Sequence, residues 1–304
     1  MTHENGTVEL IDTATLGPRA VLEAFDELAL ATDFSPNGRL LAVAGDKGRL
    51  GLWDARTLAP VRRLDGLRGW VQAVAFSPDG RRVAAGDNTG DSRVLIWDVG
   101  SGRRTAFESA FTPSQLTFSP DGRWLVAAGR ERGVEVRDVA SGRLVGRPRL
   151  DEMARSVAFS PDGALLFVGL YNGTGTFLST EDWTPVGPGI RGHGQRILTA
   201  HFTPDGRTLA TSSADGTAQL WDVTTHRAVG APLVVERNDL SFVATVLNRD
   251  GSYLYAVPTG TEGLQLALTP RRWPGLACRI AGRELTEREW AEALPGRPYR
   301  QLCA

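Results

Sequence analysis

The sequence predicts an all-β chain built from repeated four-stranded units, and three observations carry that prediction. A turn recurs as FSPNG at 34–38, FSPDG at 76–80, 118–122 and 159–163, FTPDG at 202–206 and a decayed LNRDG at 247–251. Its closing glycines, at 38, 80, 122, 163, 206 and 251, lie 42, 42, 41, 43 and 45 residues apart, the period of one propeller blade per repeat. Each copy also runs through four short β-rich stretches divided by turn residues, best seen from Val71 in VQAVAFSPDG RRVAAGDNTGDS RVLIWDVGSG RRTAF. These read as strands a, b, c and d of one blade.

The recurring turn is the a–b hairpin. Serine accepts a hydrogen bond at its first position, proline presets φ at the second, aspartate tolerates the third and glycine takes a left-handed fourth. Proline at that place never has to donate to the ladder. Six such hairpins predict six similarly built blades. Ahead of them, Met1 to Leu10 reads as the tail of a strand b, a turn at Glu4-Asn5-Gly6 and a strand c over Thr7 to Asp12, with a strand d near Arg19 to Glu23. A c–d half-blade therefore precedes six a–b–c units over 28–268. This count predicts seven-bladed geometry, incomplete by two strands. The alternative is a six-bladed ring with Arg19 to Glu23 beside Thr261 to Leu268 and Thr7 to Asp12 unpaired. The same count suggests the C-terminal part of a longer propeller protein, and its exposed sheet edges predict self-association.

Strand c ends in Trp-Asp at Trp53-Asp54, Trp97-Asp98 and Trp221-Asp222; the dipeptide decays to Arg137-Asp138 and is missing near Leu178-Ser179 and Ala267-Leu268. With period, turn and dipeptide in phase over roughly 7–270, the chain resembles the WD40 family, and the resemblance implies a WD40 β-propeller. It also implies a structural tetrad of histidine, hydroxyl, aspartate and tryptophan, which one blade supplies as His193, Ser213 (Thr211 being the alternative hydroxyl), Asp215 and Trp221. Elsewhere the histidine is replaced, for example by Leu67 in GLRGW. A catalytic reading of the same His/Ser/Asp set is outweighed, because fold-typical positions already account for it.

The segment 271–304 leaves the strand pattern and reads as two short helices. Pro274 suits a first helical turn and Gly282 a C-terminal cap; Thr286 and Glu289 make a capping box, with Leu285 and Trp290 as its staple. The expected domains are a propeller over 1–270 and a helical tail over 271–304 packed on it. The tail is similar to the segment that closes WD40 regions in bacterial STAND-type NTPases. It carries in order Ala277-Cys278, Ala281-Gly282-Arg283, Leu285-Thr286 with Glu289-Trp290, Leu294-Pro295-Gly296 and Pro298-Tyr299-Arg300, departing at Glu284, where asparagine is frequent. That resemblance implies a sensor or scaffold arm of a larger bacterial signal-transduction protein whose nucleotide-binding domain lies upstream.

Composition narrows the function. The 304 residues, 41% hydrophobic and 23% charged, suffice for a large core, and a formal net charge of −1 gives no field for nucleic acid. The opening MTHENGTVE lacks the features of a signal peptide, and the apolar runs at 40–44 and 164–170 are too short to span a bilayer. A cytoplasmic protein is expected. Lys47 is the sole lysine, a bias that points to a GC-rich bacterial genome. Cys278 and Cys303 show no metal spacing with the four histidines; they either bridge the tail or remain thiols, as a reducing cytosol favours. No GxxxxGK[ST] loop is present, so no nucleotide cofactor is expected. Asp87 and Asp91 lack the glycine and glutamate of an EF-hand and read as turn formers. His201, alone on its strand a, reads as an interblade histidine. The sequence therefore predicts no enzyme and no cofactor, but a scaffold or sensor with a protein or peptide partner. Alternatives are a propeller enzyme or a small-ligand propeller using the central channel. The b–c and d–a loops should gather Lys47, Trp70, Arg130, Arg132, Tyr171 and Asn172 at one end as a partner-binding set, unless Trp70 packs between blades.

Overall fold

A computed structural model of the chain describes residues 5–12, 17–89, 92–129, 133–235, 243–248, 250–258, 264–267 and 286–287. Five four-stranded antiparallel sheets follow the sequence period. Blade 1 comprises β3 (Ala29–Phe34), β4 (Leu40–Gly45), β5 (Leu50–Asp54) and β6 (Pro60–Arg63). Blade 2 comprises β7 (Val71–Phe76), β8 (Arg82–Asp87), β9 (Arg93–Asp98) and β10 (Arg104–Glu108). Blade 3 comprises β11 (Pro113–Phe118), β12 (Trp124–Gly129), β13 (Val134–Asp138) and β14 (Leu144–Gly146). Blade 4 comprises β15 (Ala154–Phe159), β16 (Leu165–Leu170), β17 (Thr174–Ser179) and β18 (Pro185–Arg191). Blade 5 comprises β19 (Ile197–Phe202), β20 (Thr208–Ser213), β21 (Thr217–Asp222) and β22 (Arg227–Val234). A sixth sheet has three described strands, β23 (Val243–Leu247), β24 (Tyr253–Pro258) and β25 (Leu264–Ala267). The b strands are near-continuous apolar runs such as LLAVAG because sheets pack on both of their faces. The outermost strands are largely solvated, PVRR along its whole length.

The repeated turn closes on itself through side chains. In blade 2, the Ser77 hydroxyl donates to Asp79 Oδ1 (2.6 Å), Arg82 N–H donates to Ser77 Oγ (2.9 Å), and Arg81 N–H donates to Asp79 (2.9 Å), with Gly80 at φ +69°. Serine is thus donor and acceptor at once, and the hydroxyl it donates holds the Asp79 carboxyl below its ordinary range. Where serine is lost, Asn248 Oδ1 accepts Tyr253 N–H at 2.8 Å and the hairpin survives. Consecutive turns also touch. A Cβ added at Gly80 would stand 3.5 Å from Pro36 Cδ, and one at Gly122 would stand 3.7 Å from Pro78 Cγ. Proline in one blade therefore lies beside the glycine of the next, while the glycine itself is required by its left-handed φ.

The aspartate of Trp-Asp has an equally local role. Asp54, Asp98, Asp138 and Asp222 each accept the backbone N–H and the hydroxyl of the residue three positions on, closing the c–d turn. Blade 4, which lacks the dipeptide, closes the turn with Asp182 and Thr184 instead.

At the N-terminal end, β1 (Thr7–Ile11) pairs with β2 (Pro18–Glu23) from Thr7↔Glu23 to Ile11↔Pro18. Val8 and Leu22 are buried against Leu41, Val43 and Trp53 of blade 1. This is the c–d half-blade. The six-bladed alternative put Arg19 to Glu23 beside Thr261 to Leu268 and left Thr7 to Asp12 unpaired; the structure instead pairs the two N-terminal strands with each other. One consequence is visible in blade 1, where Phe34 is 49% exposed while its counterparts Phe76 and Phe118 are 7% and 8% exposed. Those two pack into the core shared with the preceding blade, and β1–β2 supplies only the outer pair there.

Neighbouring blades are also joined by polar contacts between their a strands. Phe76 N–H donates to Asp33 Oδ2 at 2.6 Å, Val157 N–H to Gln115 Oε1 at 2.9 Å, and Thr245 N–H to Thr199 Oγ1 at 3.3 Å. Burial pushes the Asp33 carboxyl up to about 6. His201 follows the same pattern: burial lowers its pKa, against a hydrogen bond with the Thr245 backbone. The expected helical tail lies outside the described residues apart from Thr286 and Glu287, as do Cys278 and Cys303. Among the described residues no helix is long and apolar enough to cross a membrane.

Candidate functional site

Blade 5 assembles the polar tie around His193 in the loop that enters β19. His193 Nε2 lies 2.7 Å from Thr211 Oγ1, and Trp221 Nε1–H donates to the same oxygen at 2.8 Å. His193 Nδ1 lies 3.0 Å from Thr217 Oγ1 and 3.4 Å from Asp215 Oδ2, while the Thr217 hydroxyl donates to Asp215 Oδ1 at 2.6 Å. Thr211 Oγ1 thus sits between the indole and the imidazole, and Nδ1 faces Thr217 and Asp215, so both ring nitrogens of His193 have partners. Burial pushes Asp215 up, but hydrogen bonds from His193, Thr217 and the Gly194 N–H (2.6 Å) outweigh it and hold the carboxyl well below its ordinary range.

The tetrad hydroxyl is therefore Thr211, and the assignment of Ser213 is corrected. Ser213 lies two residues on, donates to Gln195 O (2.9 Å) and accepts Asp215 N–H (3.1 Å). Register decides the choice: Trp221 pairs with Leu209 and Gln219 with Thr211, so the indole reaches Thr211. Thr217 is a fifth member that sequence reasoning did not find; the Asp-Gly-Thr order at 215–217 was its signal. Thr211 has 0% exposure and is bonded on both sides. It cannot present a nucleophile to a substrate, so the set is a structural tie.

Blade 3 does the same job with charge. Arg137 occupies the tryptophan position opposite Leu125, and Glu135, 2% exposed, lies two residues before it on β13. Glu135 accepts the Ser109 hydroxyl (3.1 Å) and the Ala110 N–H (3.2 Å) and lies 3.5 Å from Arg137 Nη2. Arg137 donates to Glu108 O (2.6 Å) and Gly142 O (3.1 Å) and stacks 4.6 Å over Phe107. The loop entering blade 3 is thus held to strand c as His193 holds the loop entering blade 5. In blade 2, buried Asp87 accepts Arg68 N–H (2.9 Å) and the Thr89 hydroxyl (2.8 Å), so it anchors the entry loop as well as shaping its own turn. Asp91 lies outside the described residues. Among the described residues no group of three or more His, Cys, Asp or Glu side chains is disposed to hold a metal.

The predicted partner-binding set falls into two places at the b–c end of the blades. Lys47 and Trp70 are neighbours, because Gly48 N–H donates to Gly69 O at 2.6 Å. The Lys47 ammonium is engaged by Glu27 at 2.6 Å. Trp70 donates its N–H to Asn88 Oδ1 (2.8 Å) and accepts Asn88 N–H (3.1 Å), which fixes its backbone, while the side chain is 49% exposed. It is not packed between blades. Tyr171 and Asn172 lie in the corresponding turn of blade 4, beside the His193 loop, as a Cβ at Gly173 would stand 2.3 Å from His193 O. Asn172 is spent on its own turn, accepting the Thr174 N–H and hydroxyl. Arg130 and Arg132 lie outside the described residues.

Comparison with known proteins agrees with this geometry. The repeat family described as WD domain, G-beta repeat matches residues 24–54, 58–98 and 184–222. The chain is 30% identical over 142 residues to "WD repeat-containing protein SL1-17" of Schistosoma mansoni, covering 46% of each chain. It is 45% identical over 71 residues to "Centriole proteome protein 16" of Chlamydomonas reinhardtii, covering 22% of this chain and 3% of that one. It is 28% identical over 111 residues to "WD repeat and FYVE domain-containing protein 1" of Mus musculus, covering 36% and 27%. The chain thus spans less than half the length of these relatives, all of them eukaryotic. The matched stretches fall in blades 1, 2 and 5, where the sheets and c–d corners are those of WD40 repeats, in a chain whose described sheets are all-β and arranged as propeller blades.

Proposed function

We propose that the chain is a non-catalytic interaction scaffold that takes a protein or peptide partner at the b–c end of blades 1 and 2, with Trp70 at the centre of contact. The observation that supports this is the 49% exposed Trp70 on a loop fixed by Asn88 and by the Gly48–Gly69 bond. A rigid, exposed aromatic loses little entropy on binding and is the residue type most enriched at interface hot spots. Val61, Leu144, Val186 and Val229 are exposed on outermost d strands and Phe34 on strand a of blade 1, whereas Trp70 stands on a loop. The ordered tail motifs at 277–300 support placing this scaffold in a cytoplasmic, bacterial signal-transduction protein, as its sensor arm. The test is to capture a partner with the full chain and measure its affinity for Trp70→Ala. A loss of at least tenfold supports the reading, and unchanged affinity overturns it.

A further inference from the structure

We propose that the opposite end of the molecule carries a second docking surface, at the junction of blades 3 and 4, for an arginine-bearing segment of a partner protein. The a–b and c–d turns meet at this end, and between two blades they enclose a groove of about 770 Å³. That size holds a long side chain with its flanking backbone. Trp124 and Trp183 line it, edge to face at 6.2 Å and both half-buried. Asp121, Asp162 and Glu181 share the lining with one arginine, Arg123, so the groove is acidic overall. Nucleic acid and anionic lipid are disfavoured by that sign; a cationic segment is favoured.

Two features go beyond a solvated acidic rim. The first is Trp183 itself, which holds φ +62° at a corner where blades 2 and 3 place Gly102 and Gly142. The non-glycine corners all use their side chains to cover core: His226 stacks 4.5 Å from fully buried Phe177, and Leu58 packs on the cluster around Trp53. Trp183 likewise packs on the core shared by blades 3 and 4, beside Trp124, and the half-buried indole also lines the groove. The second feature is Arg123, whose guanidinium lies 4.1 Å over the Trp124 ring. It shows within the chain that this aromatic pair accepts a planar cation on a face.

The test is calorimetric titration of the full chain with the peptide acetyl-Gly-Arg-Gly-Arg-Gly-amide and with its glutamate counterpart. The arginine peptide should bind and the glutamate peptide should not. Trp183→Gly, which suits the left-handed corner but uncovers part of the blade 3–4 core, should weaken binding at least tenfold, read at a temperature where the variant is folded. Glu181→Lys, an exposed change, should weaken it at least fivefold and carries the test should the glycine variant fail to fold. Trp70→Ala should leave this binding unchanged, so failure here and failure of the b–c reading are distinguishable. No binding of the arginine peptide at millimolar concentration overturns the proposal, as does equal binding of the glutamate peptide or unchanged affinity in both groove variants.

Discussion

In blade 5 the loop before strand a is tied to strand c by a hydrogen-bonded relay, Trp221, Thr211 and His193, with one carboxylate, Asp215, at the rim. In blade 3 the same loop is tied by a buried carboxylate and a guanidinium, Glu135 and Arg137. The difference teaches how a repeat can lose its signature residues and keep its shape. What the blade requires is that the entry loop's polar backbone be satisfied and its approach to strand c fixed, and either chemistry does this. The two chemistries differ in how they fail. A hydrogen-bonded relay loses a few bonds at a time, whereas removing one member of a buried ion pair strands the other charge.

The largest effect is therefore expected in blade 3. Glu135→Ala should destabilise the protein by about 3–5 kcal/mol, because Arg137 loses its counter-charge and the Ser109 and Ala110 donors lose their acceptor. Urea unfolding checks this. The double variant Glu135→Leu with Arg137→Met should recover much of the loss, since apolar residues of similar size replace such pairs at little cost. If the double variant is as unstable as the single one, the pair is more than a tie.

In blade 5, Thr211→Val keeps the shape but removes the oxygen shared by His193 and Trp221, for an expected loss of about 2 kcal/mol. Ser213→Ala, which removes one bond to Gln195 O and one from Asp215 N–H, should cost about 1 kcal/mol. The reverse order of these losses would return the tetrad to Ser213.

A smaller effect concerns Asp33 between blades 1 and 2. Burial raises its pKa from 3.8 to about 6 in the folded chain, so the native state binds the proton more tightly than the unfolded state. Its contribution is complete below about pH 3.8 and is lost as pH rises through about 6. Asp33→Asn keeps an oxygen for Phe76 N–H and should flatten this part of the pH–stability profile, with a gain of roughly 1 kcal/mol at pH 8 once partial exposure is allowed for. Melting curves between pH 4 and 8 show whether the slope disappears.

Much of the scaffold was legible in the sequence because its signals are local. The Ser-Pro-Asp-Gly turn and the Asp of Trp-Asp close through bonds two to five residues long, so each leaves a fixed pattern in every repeat. The half-blade was legible for the same reason. The tetrad hydroxyl was not, because Thr211 and Ser213 alternate onto one face of β20 and only the pairing with β21 separates them. Arg137-Asp138 read as decay, since the compensating Glu135 looks like any strand residue until its partners in the entry loop are known. Trp124 and Trp183 meet only because neighbouring blades stack, and no spacing rule announces that.

The account rests on separating buried ties that hold the blades from exposed groups that hold a partner, and one paired measurement tests it. Thr211→Val and Trp70→Ala are compared for melting temperature and for affinity toward a partner captured by the full chain. Thr211→Val should melt about 5 °C lower, from the size of the lost bonds, with affinity unchanged at temperatures where it is folded. Trp70→Ala should melt as the parent does and lose at least tenfold in affinity, as an aromatic anchor does. A Trp70→Ala variant that melts lower and binds as tightly as the parent would contradict the account.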